Sequence, residues 1–256
     1  MRVRFLGTGT SHGVPVIGCS CPVCTSKDPR DTRYRSSILV SEGETRILVD
    51  AGPEFRLQAI AAGLTRLDAI LLTHAHADHI HGLDDLRPLS RGGILPVYGN
   101  REAIDETAVR FAYVFKQSQE GGGKPRIKLL EMESGDMTIG GVTVRPIKLL
   151  HGNLPILGYR FGTFAYLSDC SKIPEGSMRA LAGVEVLVID GLRLRPHPTH
   201  FSVDEALETA SRIGARETWL THLTHDHSHA FLSEYCEKRV GGTMARPAWD
   251  SLELEV

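Results

Sequence analysis

One pattern recurs along the chain: a short apolar, β-branched run that stops at a polar residue. Arg46-Ile47-Leu48-Val49 stops at Asp50, and Ala69 to Thr73 stops at His74. Arg145 to Leu150 stops at His151, and Phe164 to Ser168 stops at Asp169. Val186 to Ile189 stops at Asp190, and Thr218 to Thr221 stops at His222. Runs of this length and composition fit strands buried on both faces. Met1 to Gly7 reads as a first strand. Helical patterns lie between the runs. One covers Glu54 to Ala62 after a Gly-Pro turn, and another covers Glu102 to Phe115. A third opens at Ser202 as N-cap, carries Asp204 and Glu205 in its first turn, and stops at Gly214. Strands interspersed with helices predict an α/β protein whose sheets are covered by helices. If two such sheets pack together, the six polar stops gather along one edge.

Composition narrows this picture. The chain has 256 residues, 41% hydrophobic and 23% charged, which is ordinary globular usage and excludes a disordered or fibrous chain. No linker interrupts it, and Gly121-Gly122-Gly123 is too short to separate domains, so a single domain over residues 1–256 is expected. Lys+Arg 29 against Asp+Glu 31 gives a net charge of -2. That balance counts against nucleic acid as a partner, though a local basic cleft remains compatible with it. Five cysteines are an odd number in a chain long enough to bury a core, which argues against a disulfide scaffold. No stretch approaches the ~20 apolar residues of a membrane span. The N-terminal charges are followed by no apolar signal region, so residence in the cytoplasm, with no membrane partner, is the expectation.

The twelve histidines carry the chemistry. In His74-Ala75-His76-Ala77-Asp78-His79, imidazoles and a carboxylate supply the ligands that suit zinc, iron or manganese. On an extended strand end His74 and His76 point the same way. Asp78 and His79 then begin a helix and point elsewhere, so one loop can serve two adjacent metals. His151, Asp169 and His222 also follow buried runs, which scattered surface histidines would not do. A polar loop with chance histidines is the plainer alternative, and it weakens as the strand-end residues accumulate. Cys19-Ser20-Cys21-Pro22-Val23-Cys24 packs three thiols into six residues, one short of a tetrahedral zinc site. His225 can supply the fourth ligand; reduced cysteines in a tight turn fit the sequence equally well.

These residues give the chain a resemblance to the metallo-β-lactamase-fold hydrolases over nearly its whole length. The H-x-H-x-D-H element is that superfamily's signature. The resemblance implies an αββα sandwich of two mixed β-sheets, as in ribonuclease Z. It assigns His74, His76 and His151 to a first metal and Asp78, His79 and His222 to a second. Asp169 would bridge the two, and Asp50 would brace the site from behind its ligands. The commonest β-lactamases carry cysteine where Asp169 stands, and flavodiiron proteins carry a carboxylate where His76 stands. Both activities are therefore disfavoured, and hydrolysis of phosphodiesters or thioesters is favoured.

Gly7 to Pro15 followed by Cys-x-Cys-x-x-Cys, with His225 after the last metal histidine, is similar to the phosphoribosyl 1,2-cyclic phosphate phosphodiesterases of phosphonate catabolism (the carbon–phosphorus lyase pathway). That family implies a structural zinc on Cys19, Cys21, Cys24 and His225. Cys170 and Cys236 are expected as packing residues, and His12 as a loop residue. The implied reaction opens a small cyclic phosphodiester. Its nucleophile is a hydroxide bridging two divalent ions (zinc or manganese), with Asp78 at the catalytic centre and His200 as general acid. A surface position for His200 and His197 is the plain alternative. Arg193 and Arg195 are weak candidates for a terminal phosphate, and Arg33 and Arg35 weaker ones. Arg110 to Phe115 reads most simply as a helix face, with a lid or a base-stacking platform as alternatives. The expected partner is a small phosphorylated substrate, and a homodimer is left open. Rival functions are a nuclease or nucleotide phosphodiesterase related to tRNA 3′-processing enzymes, whose long basic arm has no counterpart here. A thioester hydrolase and a non-catalytic metal-binding protein rank lower.

Overall fold

A computed structural model describes residues 1–116, 123–132, 134–239 and 243–256. Gly121 and Gly122 therefore lie outside the described residues. Strands β1 (Arg2–Gly7), β2 (Ser37–Glu42), β3 (Thr45–Val49), β4 (Ala69–Leu71), β5 (Leu95–Gly99) and β6 (Ile127–Glu131) belong to one sheet. Strands β7 (Met137–Ile139), β8 (Val142–His151), β9 (Leu154–Phe161), β10 (Phe164–Leu167), β11 (Val186–Asp190), β12 (Glu217–Thr221) and β13 (Met244–Pro247) form the other. Strand β14 (Glu253–Glu255) returns to pair with β1. The orders are β14-β1-β2-β3-β4-β5-β6 and β13-β12-β11-β10-β9-β8-β7. Both sheets are mixed: β3 to β6 and β10 to β13 are parallel, and the remaining pairs are antiparallel.

The side-chain alternation of a strand explains the unbroken apolar runs. Ile47 and Val49 face the core between the sheets, together with Val186 and Val188. Leu48 faces the opposite way, into the apolar layer under α1 (Phe55–Ala61), α2 (Ala77–Ile80), α3 (Arg101–Arg110) and α4 (Ala112–Phe115). Leu187 and Ile189 face the layer under α5 (Glu175–Ala180), α6 (Val203–Ile213) and α7 (His229–Glu237). Strands β3 and β11 thus bury both faces, and the expected αββα sandwich is what the chain forms. The six run-ends at Asp50, His74, His151, Asp169, Asp190 and His222 belong to the neighbouring strands β3 and β4 of one sheet and to β8, β10, β11 and β12 of the other, where β9 separates β8 from β10.

One helix departs from expectation. The stretch read as a single helix over Glu102 to Phe115 is two helices, broken at Phe111, whose φ −105° and ψ 29° leave the helical region. The Phe111 ring is buried in the helix-side layer, and Asn100 caps α3 by accepting a hydrogen bond from the Ala103 N–H. The Ser202 cap is as expected. The Ser202 hydroxyl and Glu205 carboxylate form a reciprocal capping box, and Gly214 ends α6 with φ 80°. Close approach fixes the α2 region: a Cβ on Gly52 would sit 2.3 Å from the Asp78 carbonyl oxygen. The loop after β3 is thereby seated directly against the helix that carries Asp78 and His79.

Candidate metal centres and active site

Three of the run-end residues hold strained backbone. Asp50, Asp169 and His222 have φ of 61°, 58° and 59°, in the left-handed region that side chains avoid. Such conformations cost about 1–3 kcal/mol each and persist where packing over-determines them, commonly at functional sites. Here each turns the chain sharply at a strand end; the side chains of Asp169 and His222 thereby meet, and that of Asp50 backs His79.

His74, His76 and His151 bring one ring nitrogen each to within 4.8 Å of one another, and Asp78, His79, Asp169 and His222 do the same with carboxylate oxygens and ring nitrogens. Asp169 also lies that close to His151 and His200, which places it between the two groups. Its carboxylate is 3.0 Å from His222 Nε2 and 3.3 Å from His79 Nε2. Asp78 is 3.2 Å from His79 Nε2 and 3.7 Å from His222 Nε2. The rings are held from behind. His79 Nδ1 donates to Asp50 Oδ2 at 2.7 Å, and His151 Nδ1 donates to the Thr199 carbonyl at 2.8 Å. The Thr73 amide and hydroxyl each donate to Asp50 at 2.8 Å. With Nδ1 engaged, the Nε2 lone pair faces inward. The Nε2 atoms of His74, His79 and His222 are buried; that of His74 has no hydrogen-bond partner, and those of His79 and His222 meet carboxylates outside hydrogen-bond geometry. Buried polar nitrogens left unpaired in this way are costly. Two divalent cations would satisfy them, so the donor set fits a dinuclear centre.

Electrostatics agree. Burial pushes His74 well down, toward the neutral imidazole a metal needs. Burial also acts against charge on His79, but the carboxylates of Asp169, Asp78 and Asp50 around it win and hold it well above the ordinary histidine value. The same three carboxylates make this a place of negative potential that a divalent cation would balance.

His200 is not a surface histidine. It is 9% exposed, packs on the rings of His151 and His222 at 4.6 and 4.8 Å, and bonds through Nδ1 to Asp190 Oδ2 at 2.7 Å. Burial lowers His200 and raises Asp190 well above the usual carboxylate range, so the pair favours the uncharged arrangement with the proton on Asp190. In that arrangement Nδ1 accepts and Nε2 carries its hydrogen toward the cleft. The segment is pinned by Phe201 N–H on the Cys170 carbonyl and by the α6 capping box. Asp190 has no role in the sequence reading. Its signal was visible nonetheless, because it ends one of the six runs and received no chemical role.

The arginines separate. Arg193 and Arg195 stay on the rim of the β11–α6 loop, where Arg195 is exposed and pairs with Asp226 at 3.1 Å. Arg33 is buried, donating to the Thr8 hydroxyl and the Ala248 carbonyl, and Arg35 pairs with Glu54. Both are engaged with the protein itself, which removes them as phosphate holders. Tyr113 reaches Asp84, and His12 lies in a loop with its ring edge-on to His225.

A second cluster stands apart from the cleft. Cys19, Cys21 and Cys24 place their sulfurs 3.5, 3.4 and 3.4 Å from His225 Nδ1. A tetrahedral zinc with bonds of ~2.3 Å to sulfur and ~2.0 Å to nitrogen spaces these atoms by about 3.5 Å. The Cys24 backbone N–H, then His225, pulls the Cys21 thiol down to about 6, while burial pushes Cys24 up to about 11. Cys170 and Cys236 are buried in the apolar layer on the α6 side.

A family model described as Beta-lactamase superfamily domain matches residues 45–223, well over half of the chain. The chain belongs to the beta-lactamase superfamily. A solved diphosphatase of the PhnP family superposes with a TM-score of 0.90 at 39% identity, covering 100% of this chain and 97% of that one. The short form of human tRNase Z superposes at 0.67 over 100% and 99% of the two chains, and its 18% identity speaks for the fold alone. An octanoyltransferase of Porphyromonas gingivalis is 43% identical over 88% of this chain. The chain spans 46% of that relative's length. Membership of this superfamily, with the likeness to the diphosphatase, supports a metal-dependent hydrolase. Among the described residues, no helix is long and apolar enough to cross a membrane.

Proposed function

We propose that this hydrolase cleaves a small cyclic phosphodiester, with a phosphoribosyl 1,2-cyclic phosphate as the leading candidate, and so serves phosphonate catabolism. The observation that carries the reading is the buried Asp190–His200 pair set against the seven-ligand cleft. Breaking an alkyl phosphodiester expels an alkoxide, which needs a proton. Thioester hydrolysis expels a thiolate and does not. Support also comes from the likeness to a PhnP-family diphosphatase over the full chain.

His74, His76 and His151 would hold one divalent ion and Asp78, His79 and His222 the other, shared through Asp169, with zinc or manganese as the metals. Bound there, the ions supply Lewis acidity and lower the pKa of a bound water toward ~7. The chain's own residues do the rest. Asp50 and Thr199 fix ring orientation. His200 presents Nε2–H to the departing oxygen, and Asp190 returns a proton to Nδ1 across their 2.7 Å bond. The zinc we assign to Cys19, Cys21, Cys24 and His225 anchors the loop that also carries His222.

Manganese-supported hydrolysis of bis-p-nitrophenyl phosphate, with no turnover of an octanoyl thioester, is the expected result. Turnover of the thioester alone rejects the phosphodiesterase reading. Replacing Asp50 by alanine removes the acceptor for His79 Nδ1 and should weaken binding of the active-site metals about 10–100-fold. A competition titration with a chromogenic chelator measures it.

A further inference from the structure

Asp169 is the candidate ligand shared by both ions, so whatever holds its carboxylate bears on both. The histidines have their own braces: Asp50 behind His79, the Thr73 hydroxyl at 3.0 Å from His74 Nδ1, and the Thr199 carbonyl behind His151. The brace on Asp169 comes from the residue before it. The Ser168 hydroxyl donates to Asp169 Oδ2 at 2.6 Å, the length expected of a hydroxyl on a charged carboxylate. Both side chains are buried. In an extended strand neighbouring side chains point to opposite faces and cannot meet in this way. Strand β10 ends at Leu167, and the left-handed backbone at Asp169, φ 58°, breaks the alternation there. The strained turn thus brings the hydroxyl and the carboxylate together.

A carboxylate offers about four lone-pair sites on its two oxygens. Ser168 takes one of them on Oδ2. His79 Nε2 lies 3.3 Å from that same oxygen, and Oδ1 faces His222 Nε2 at 3.0 Å. The hydrogen bond therefore limits how the carboxylate can turn and leaves the other lone pairs for the cleft. Asp50 receives three donors, from the Thr73 amide, the Thr73 hydroxyl and His79. Among the described residues, Asp169 receives one donor that is not itself a candidate ligand, and that donor is Ser168. We propose that Ser168 is a positioning residue, whose hydroxyl holds the Asp169 carboxylate in the orientation needed for sharing between two ions and so sets how tightly the pair is bound. The inference rests on the two-ion reading of the cleft and is independent of the substrate.

The test uses the full-length protein, with zinc left in the cysteine cluster and manganese or cobalt(II) supplied to the cleft. In Ser168→Ala the active-site manganese should be held about 10-fold more weakly against a chromogenic chelator, the lower end of the cost of losing a hydrogen-bond partner behind a ligand. The visible absorption bands of cobalt in the cleft should shift as well, because they report the arrangement of ligands around the ion. Ser168→Thr keeps the hydroxyl and should restore both the affinity and the bands. Zinc in the cysteine cluster should be retained in both variants, which separates the effect from a general loosening of the fold. Unchanged affinity with unchanged cobalt bands in Ser168→Ala overturns the positioning role, whether or not the threonine variant folds. Equal losses in the two variants, both folded by circular dichroism, overturn it too. Uptake of fewer than two ions by the cleft of the unmodified protein overturns the two-ion reading, and this inference with it.

Discussion

His200→Ala should lower kcat on a phosphodiester with an alkoxide leaving group by about 10²–10⁴-fold, the usual worth of a positioned acid. On bis-p-nitrophenyl phosphate the loss should be far smaller, because p-nitrophenolate departs without a proton. The contrast between the two substrates is the informative quantity. A variant that merely disturbed the fold or the metals would lose both activities alike. Metal content, measured by elemental analysis, should be unchanged, since His200 is tied to Asp190 and is not among the seven ligands proposed for the two ions. Asp190→Asn acts through His200. It should lower kcat on the alkoxide substrate with little change in KM, and it should displace the limb of the pH profile that reports the acid. The double variant should be no worse than His200→Ala, as expected of residues that work as a unit. Equal losses on the two substrates, or additive losses in the double variant, would place the acid elsewhere.

Cys21→Ala should remove one zinc per chain and destabilise the protein by about 4 kcal/mol, within the range seen when a metal site is lost. In a chain of this size that is a fall in Tm of about 8–16 °C. The effect is large because little else holds the loop. The Cys19–Cys24 segment and His225 touch chiefly through their ligand atoms, and Ile17 beside them is 99% exposed. Activity should fall as well. The β12 end runs from His222 to His225 without a break, and its Leu223 bonds to the Thr8 carbonyl next to the cysteine loop. Calorimetry with zinc stoichiometry measures both parts. An unchanged Tm with unchanged zinc would reduce the cluster to three packed thiols.

The ligand residues were legible because of where they fall. A buried strand must end in a run of apolar residues followed by something polar, and six such ends are visible in the chain. Metal chemistry restricts that polar residue to histidine or carboxylate, so location and residue type reinforce each other. The helix around Ser202 was legible from its cap and its terminal glycine. The break at Phe111 was not, because a buried aromatic ring decided it and no Gly or Pro announces it.

By itself, the sequence determined the alternation of buried strands with helices, the histidines and carboxylates at strand ends and the spacing of the three cysteines, since each is written locally; the sandwich and the candidate ligand set came from the family resemblance. Tertiary structure alone decided that Asp190 backs His200 and that Arg33 is buried. Those facts depend on which strands become neighbours and how loops from both sheets meet at one edge. That is a matter of packing between segments far apart in the chain, and no local pattern records it.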